Sequence, residues 1–147
     1  MAAITAFDLD LRYLCYDLTS MSFCGDDEEA DLVRYGYSRD HRPDRKQIEL
    51  ASTVTATGGV PVDYRALVGN VADRTTPVDN LHRLQGLLAH LPPHDPAAPC
   101  VVVSDRAMLT DAALVAYARS TLCYLGPLGP GLGHGVVHDW SAGVGAP

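Results

Sequence analysis

No apolar run in this chain approaches the roughly 18–20 residues needed to cross a bilayer. Its N-terminus, MAAITAFDLDLRY, lacks the basic start of a signal peptide, and Asp8 and Asp10 interrupt any hydrophobic region there. A membrane partner is therefore not expected, and a cytoplasmic location is. Cysteine is scarce and scattered: Cys15, Cys24, Cys100 and Cys123 form no C-x-x-C pair, so neither a zinc site nor a disulfide framework is indicated. Basic excess is lacking too. A net charge of −7 argues against a free-standing nucleic-acid binder when only the total is considered. Acid becomes rare late in the chain: no glutamate follows Glu49, and after Asp111 the only acid is Asp139.

What is present reads as one globular domain. The 147 residues, 47% hydrophobic and 20% charged, can bury a core of their own. Residues 12–23, RYLCYDLTSMSF, form a first strand candidate. The acidic stretch GDDEEAD at 25–31 follows as a solvated turn or loop. Residues 33–47, VRYGYSRDHRPDRKQ, gather Arg34, Arg39, Arg42, Arg45 and Lys46, five of the eleven basic residues. Two further strands are expected to meet at Gly58-Gly59, where both positions accept positive φ.

A helix is predicted from TPVD, with Thr76 as N-cap and Pro77 in the first turn, and Val78, Leu81, Leu84, Leu87 and Leu88 along its apolar face. CVVVSD at 100–105 has the continuous apolar character of a buried parallel strand. LTDAALVAYARS is a second helix capped by Thr110, and TLCYLGPL supplies a fifth strand. The predicted class is α/β: a mixed five-stranded sheet of three antiparallel strands followed by α-β-α-β, over residues 1–128. Residues 129–147 read as a Gly/Pro-rich flexible tail, since ten of the 22 residues from Gly126 to Pro147 are Gly or Pro.

Asp17 is the anomaly in this pattern. With Leu14, Tyr16 and Leu18 around it, it reads as a carboxylate in a buried strand, which requires a partner. Asp105, at the carboxyl end of the fourth strand, can supply one through a shared cation if that strand returns beside the first. Two such carboxylates suit a hard divalent ion, Mg2+ or Mn2+. The plainer alternatives are a salt-bridged or edge aspartate at 17 and a helix-entry cap at 105. The basic segment likewise reads either as a DNA-contacting patch, with Tyr35 and Tyr37 interleaved to stack on an unpaired base, or as a charged connector in which Asp40 and Asp44 pair with neighbouring arginines. Arg106 is either a phosphate contact beside Asp105 or a surface arginine. Asn70 reads as a turn residue, and the His134/His138 spacing lies where no helix would align it.

YDLTS at 16–20, ADLVRYGYSRDHRPDRKQ at 30–47, GGVPVDYRALVGNVADRTT at 58–76 and VVVSDRAML at 101–109 resemble successive motifs of bacterial insertion-sequence transposases of the DDE class. The resemblance covers about residues 12–128. It implies a ribonuclease-H-like catalytic fold, with Asp17 and Asp105 as the first two catalytic and metal-binding acids. It implies DNA cutting and joining by metal-dependent phosphoryl transfer, with insertion-sequence ends and target as DNA partners and a homodimer or a full-length transposase as a protein partner.

Two features of the family pattern are missing: the long region ahead of the first aspartate, and the third acid, a glutamate on a later helix. The expectation is a core truncated at both ends, with its sheet incomplete at the C-terminus, weak metal binding and little activity alone. The competing expectations are a non-catalytic DNA- or transposase-binding inhibitor module and a functionless gene remnant.

Overall fold

The computed structural model describes residues 2–24, 30–37, 44–91 and 99–127. Most of the acidic loop, Arg39, Arg42 and the 129–147 tail lie outside the described residues. A five-residue helix, α1 (Ala2–Ala6), opens the chain and was not anticipated from sequence; its Ile4 joins the core.

β1 (Tyr13–Ser22) follows, then β2 (Gln47–Thr55) and β3 (Pro61–Val68). β2 and β3 form a hairpin turned at Gly58 and Gly59, whose φ values of 82° and 61° place both in the region that glycine enters without steric cost. A register shift at Thr53/Val54 marks a bulge next to that turn. β1 pairs antiparallel with β2, and β2 with β3.

α2 (Pro77–Leu88) carries the chain across to β4 (Val101–Val103), and α3 (Asp111–Ala118) leads on to β5 (Cys123–Leu125). The strand order is β3-β2-β1-β4-β5, with β4 parallel to β1 and β5 parallel to β4. The mixed five-stranded sheet expected from sequence is the one observed. The two predicted caps diverge. Thr110 Oγ1 accepts the Ala113 N–H at 3.1 Å, as an N-cap should. Thr76 instead donates its hydroxyl to the Asp73 carbonyl at 2.8 Å, because it closes a 3₁₀ turn over Asp73–Thr75 before α2 begins.

Both longer helices pack on one face of the sheet. Leu14, Leu18 and Val102 reach into that layer from the strands, meeting Leu81 and Leu84 of α2 and Tyr117 of α3. Fully burying each such side chain contributes about 1.5–3 kcal/mol. β3 is fastened to α2 by two ion pairs, Arg65 with Asp79, and Arg83 with Asp63 through two bonds of 2.8 and 2.6 Å.

The same face becomes polar along β2, where Gln47, Glu49, Thr53 and Thr55 are buried. Gln47 Nε2 donates to the Gly69 carbonyl at 2.9 Å and to Glu49 Oε1 at 2.9 Å, and Ser20 Oγ donates to the same carboxylate oxygen at 2.7 Å. Gly69 is required there: a Cβ on it would stand 1.8 Å from the Gln47 carbonyl oxygen.

Candidate active site

The alternation of β1 decides where Asp17 goes. Leu14, Tyr16 and Leu18 are buried, so Cys15, Asp17 and Thr19 belong to the opposite face, and Asp17 is exposed. The buried carboxylate expected from sequence is therefore corrected. Asp17 lies exposed on the open face of the sheet, and its Oδ1 accepts the neighbouring Leu18 N–H at 2.8 Å. The error came from reading its flanking residues as surroundings, when in a strand immediate neighbours point the other way.

Asp105 is placed by β4. The parallel ladder pairs Tyr13 with Val101, Leu14 with Val102 and Cys15 with Val103. Asp17 and Asp105 each lie two residues beyond that last pair, on the same face, and Asp105 is still extended at φ −75° and ψ 174°. The two acids thus come from adjacent parallel strands, each two residues past the last ladder pair, and such strands lie about 5 Å apart in the hydrogen-bonding direction of a sheet. Asp105 precedes the 3₁₀ turn Arg106–Met108 but makes no side-chain capping bond, so the cap alternative is not used. Both acids are exposed.

The backbone under Asp105 is anchored from the covered face. Ser104 donates its N–H to the Leu125 carbonyl at 3.1 Å, and its hydroxyl is bonded to that of Tyr124. The Tyr124 hydroxyl also reaches the Asp105 carbonyl at 3.5 Å, and its ring leans on Tyr117 at 5.0 Å between centroids. Burial pushes the Tyr124 phenol above its ordinary value, so it stays neutral and able to donate at physiological pH.

An exposed pair of carboxylates fits a hard cation that keeps most of its own water, as Mg2+ does when held by one or two protein carboxylates. Among the described residues no cluster of three or more His, Cys, Asp or Glu side chains is assembled.

Of the basic segment's described residues, Arg34 is not brought to this pair. Arg34 bridges to Gln47 at the start of β2, while Asp17 pairs with Ser52, five residues further along. At about 3.4 Å per residue that is roughly 17 Å along the sheet. Arg34 Nη1 is committed to the Ala30 and Val33 carbonyls at 2.9 and 2.8 Å, a bond set that orders its own loop. Tyr35 and Tyr37 are exposed, Arg45 and Lys46 half-buried, and Arg106 exposed beside Asp105. Ser52, opposite Asp17 on β2, was not singled out from sequence; counting back from the Gly58-Gly59 turn could have placed it on the open face.

A second concavity, of about 280 Å³, lies on the helical side between β3 and α2. Its charged lining residues are Asp63, Arg65, Asp79 and Arg83, already joined as the two ion pairs above, so it presents no net charge to a ligand.

Among solved structures the chain is similar to the piggyBac transposase in a synaptic complex with hairpin DNA. The TM-score is 0.54 at 9% identity, over 92% of this chain and 27% of that one. The chain thus spans about a quarter of the transposase chain it resembles. At that identity the likeness concerns fold, and the fold is ribonuclease-H-like. No family model matches the chain, and neither does any curated protein. No helix among the described residues is long and apolar enough to cross a membrane.

Proposed function

We propose that this chain is a catalytic core of DDE-transposase type, acting on DNA through a divalent cation held by Asp17 and Asp105. The observation that carries the reading is the parallel pairing of β1 with β4, whose last pair, Cys15 with Val103, lies two residues before each aspartate. The likeness of fold to a transposase and the sequence motifs around both acids support it.

The bound cation would supply charge neutralisation at a scissile phosphate. The chain's own part is to hold two oxygen ligands at a fixed spacing, on a β-scaffold stiffened by Leu18, Val102 and the Ser104–Tyr124 contact. Arg106, exposed next to Asp105, would meet a phosphate beside the pair. Arg34, Arg39, Arg42, Arg45 and Lys46 would neutralise phosphates farther along a bound duplex, where Tyr35 and Tyr37 are also exposed.

With two acids, metal binding is weak and strand cleavage by the isolated chain is slow, because ligands of one cage act as a unit. Titration with Mn2+ followed by calorimetry tests the site. Asp17→Asn and Asp105→Asn should each weaken binding at least tenfold with the melting temperature little changed. Unchanged metal binding in both variants would reject the reading.

A second reading, a non-catalytic DNA- or transposase-binding module, is favoured by the roughly 17 Å along the sheet between the Arg34–Gln47 bridge and the level of Asp17. It requires the cations of residues 34–46 and not the aspartates. Substituting the two sets separately in a DNA-binding assay separates the readings.

A further inference from the structure

β3 closes one side of the sheet with an unpaired outer edge. It stands last in the strand order, and among the described residues no other segment pairs with it on that side. The ladder shows which of its backbone groups point outward. Gln47 exchanges its N–H and C=O with Arg34, on the side of β2 away from β1. By alternation Ala51 and Thr53 turn their groups the same way and meet Arg65 and Asp63. Tyr64, between those two and opposite Ser52, therefore turns its own N–H and C=O to the free edge. Natural edges are blunted by proline, bulges or charged side chains. Pro61 and the bulge at Thr53/Val54 lie at the start of β3. The two charges on the rest of the strand, Asp63 and Arg65, are of opposite sign and flank Tyr64.

We propose that this edge pairs antiparallel with the same edge of a second copy of the chain, about a two-fold axis at Tyr64. In that register Asp63-Tyr64-Arg65 is its own complement. Tyr64 exchanges two backbone hydrogen bonds with its counterpart, and each Asp63 stands opposite the other copy's Arg65 in the close, non-hydrogen-bonded positions alongside. A two-fold contact requires such self-complementarity. Both charged side chains have capacity left for it. Asp63 is held by Arg83 and Arg65 by Asp79, yet they remain 19% and 47% exposed. A carboxylate accepts at about four sites and a guanidinium offers five N–H donors. Two chains of alternating charge, Arg83–Asp63–Arg65–Asp79, would thus cross between the copies. On the open face the two Tyr64 rings, each 73% exposed in the single copy, meet as an aromatic cross-strand pair. An axis at Ala66 would set Arg65 against Leu67 and lose both complements. The contact is short, so association is weak and concentration-dependent. It does not rest on the metal-site reading, since Asp17 and Asp105 lie two and three strands in from this edge.

The test is sedimentation of the full chain, without DNA, from about 10 to 500 µM, a range suited to a small interface. The wild type should pass from monomer to dimer. Tyr64→Pro removes an N–H that points away from β2, a substitution that edge strands accept. It should weaken dimerisation about tenfold or more, with the far-ultraviolet spectrum and denaturation midpoint of the dilute protein kept. The register is read by cross-linking in a Cys15→Ser, Cys24→Ser, Cys123→Ser background, oxidised with diamide. Tyr64→Cys should give a disulfide dimer, because residues in a hydrogen-bonded pair have Cα atoms about 5.5 Å apart. Ala66→Cys should not, its thiols being separated by four residues of strand, roughly 14 Å.

A wild type that stays monomeric throughout would overturn the proposal. So would a dimer that forms equally well in Tyr64→Pro, which would place the contact elsewhere on the molecule. Cross-linking of Ala66→Cys as readily as Tyr64→Cys would also overturn it, since the charges would then not be matched.

Discussion

Asp17 and Leu18 are consecutive in β1, and the pleat sends them to opposite faces of one sheet. Leu18 is fully buried with Leu14, Val102 and Leu84, while Asp17 stands exposed opposite Ser52. The covered face is closed by α2 and α3, and its polar members, such as Gln47 and Glu49, are tied into hydrogen bonds. The open face instead exposes Tyr13, Met21, Tyr64 and Leu125 alongside the aspartates. One face therefore carries stability and the other is free to carry chemistry. A carboxylate there keeps its water, while the strand that holds it is fixed from behind.

The sharpest way to break this contrast is to substitute the two neighbours in turn. Leu18→Ala should cost about 2–5 kcal/mol, as expected for a fully buried leucine. Asp17→Ala, one residue earlier, should change stability by less than about 0.5 kcal/mol. Both are read from the midpoint of chemical denaturation. Comparable losses at the two positions would mean that Asp17 is buried in the folded protein and that the two faces are not distinct.

A smaller effect comes from the titration of Tyr16, on the covered face. Burial pushes its phenol up from 10 to about 12, against a hydrogen bond with Thr76 that acts in the opposite direction. Below pH 10 the phenol is neutral in both folded and unfolded chains, so it gives stability no slope. Between pH 10 and about 12 the unfolded chain loses its proton first, and stability falls as pH rises. The loss should total roughly 2–3 kcal/mol, and Tyr16→Phe should lessen the slope in that window, leaving the share of Tyr117 and Tyr124, whose phenols burial also raises. The Cys100 thiol, pushed up to about 11 by burial, adds a similar slope beginning lower, near pH 9, so the comparison is made in a Cys100→Ser background.

Much of the architecture was legible in the sequence because its signals were local. Gly58-Gly59, the Leu81/Leu84 spacing, the Thr110 cap and the apolar run at Val101–Val103 each act within a few residues, and each element formed as expected. The site was legible only in part. Asp17 and Asp105 stood out as acids in strands, and the parallel pairing they needed is present. Their exposure was misread, since the sequence around Asp17 mixes residues of both faces. Ser52 and Tyr64 were passed over because their relation to Asp17 depends on antiparallel register across two strand pairs, which no local pattern announces. The Thr76 cap failed for a related reason: the preceding 3₁₀ turn offered its hydroxyl a nearer carbonyl at Asp73.

The smallest expected effect concerns the fastening of β3, the strand whose two faces carry Asp63 and Tyr64 side by side. Asp63 meets Arg83 of α2 through two bonds, and the Arg83 side chain is 40% exposed against 19% for Asp63. A double-mutant cycle with Arg83→Ala and Asp63→Ala should return a coupling of about 0.2–1 kcal/mol, near the upper end because the pair is bidentate, and falling as salt is added. The clasp acts on the covered face, yet it holds the edge strand that presents Tyr64 on the open one. A coupling near zero would show that the β2–β3 ladder alone holds the edge strand and that the two faces of β3 act independently.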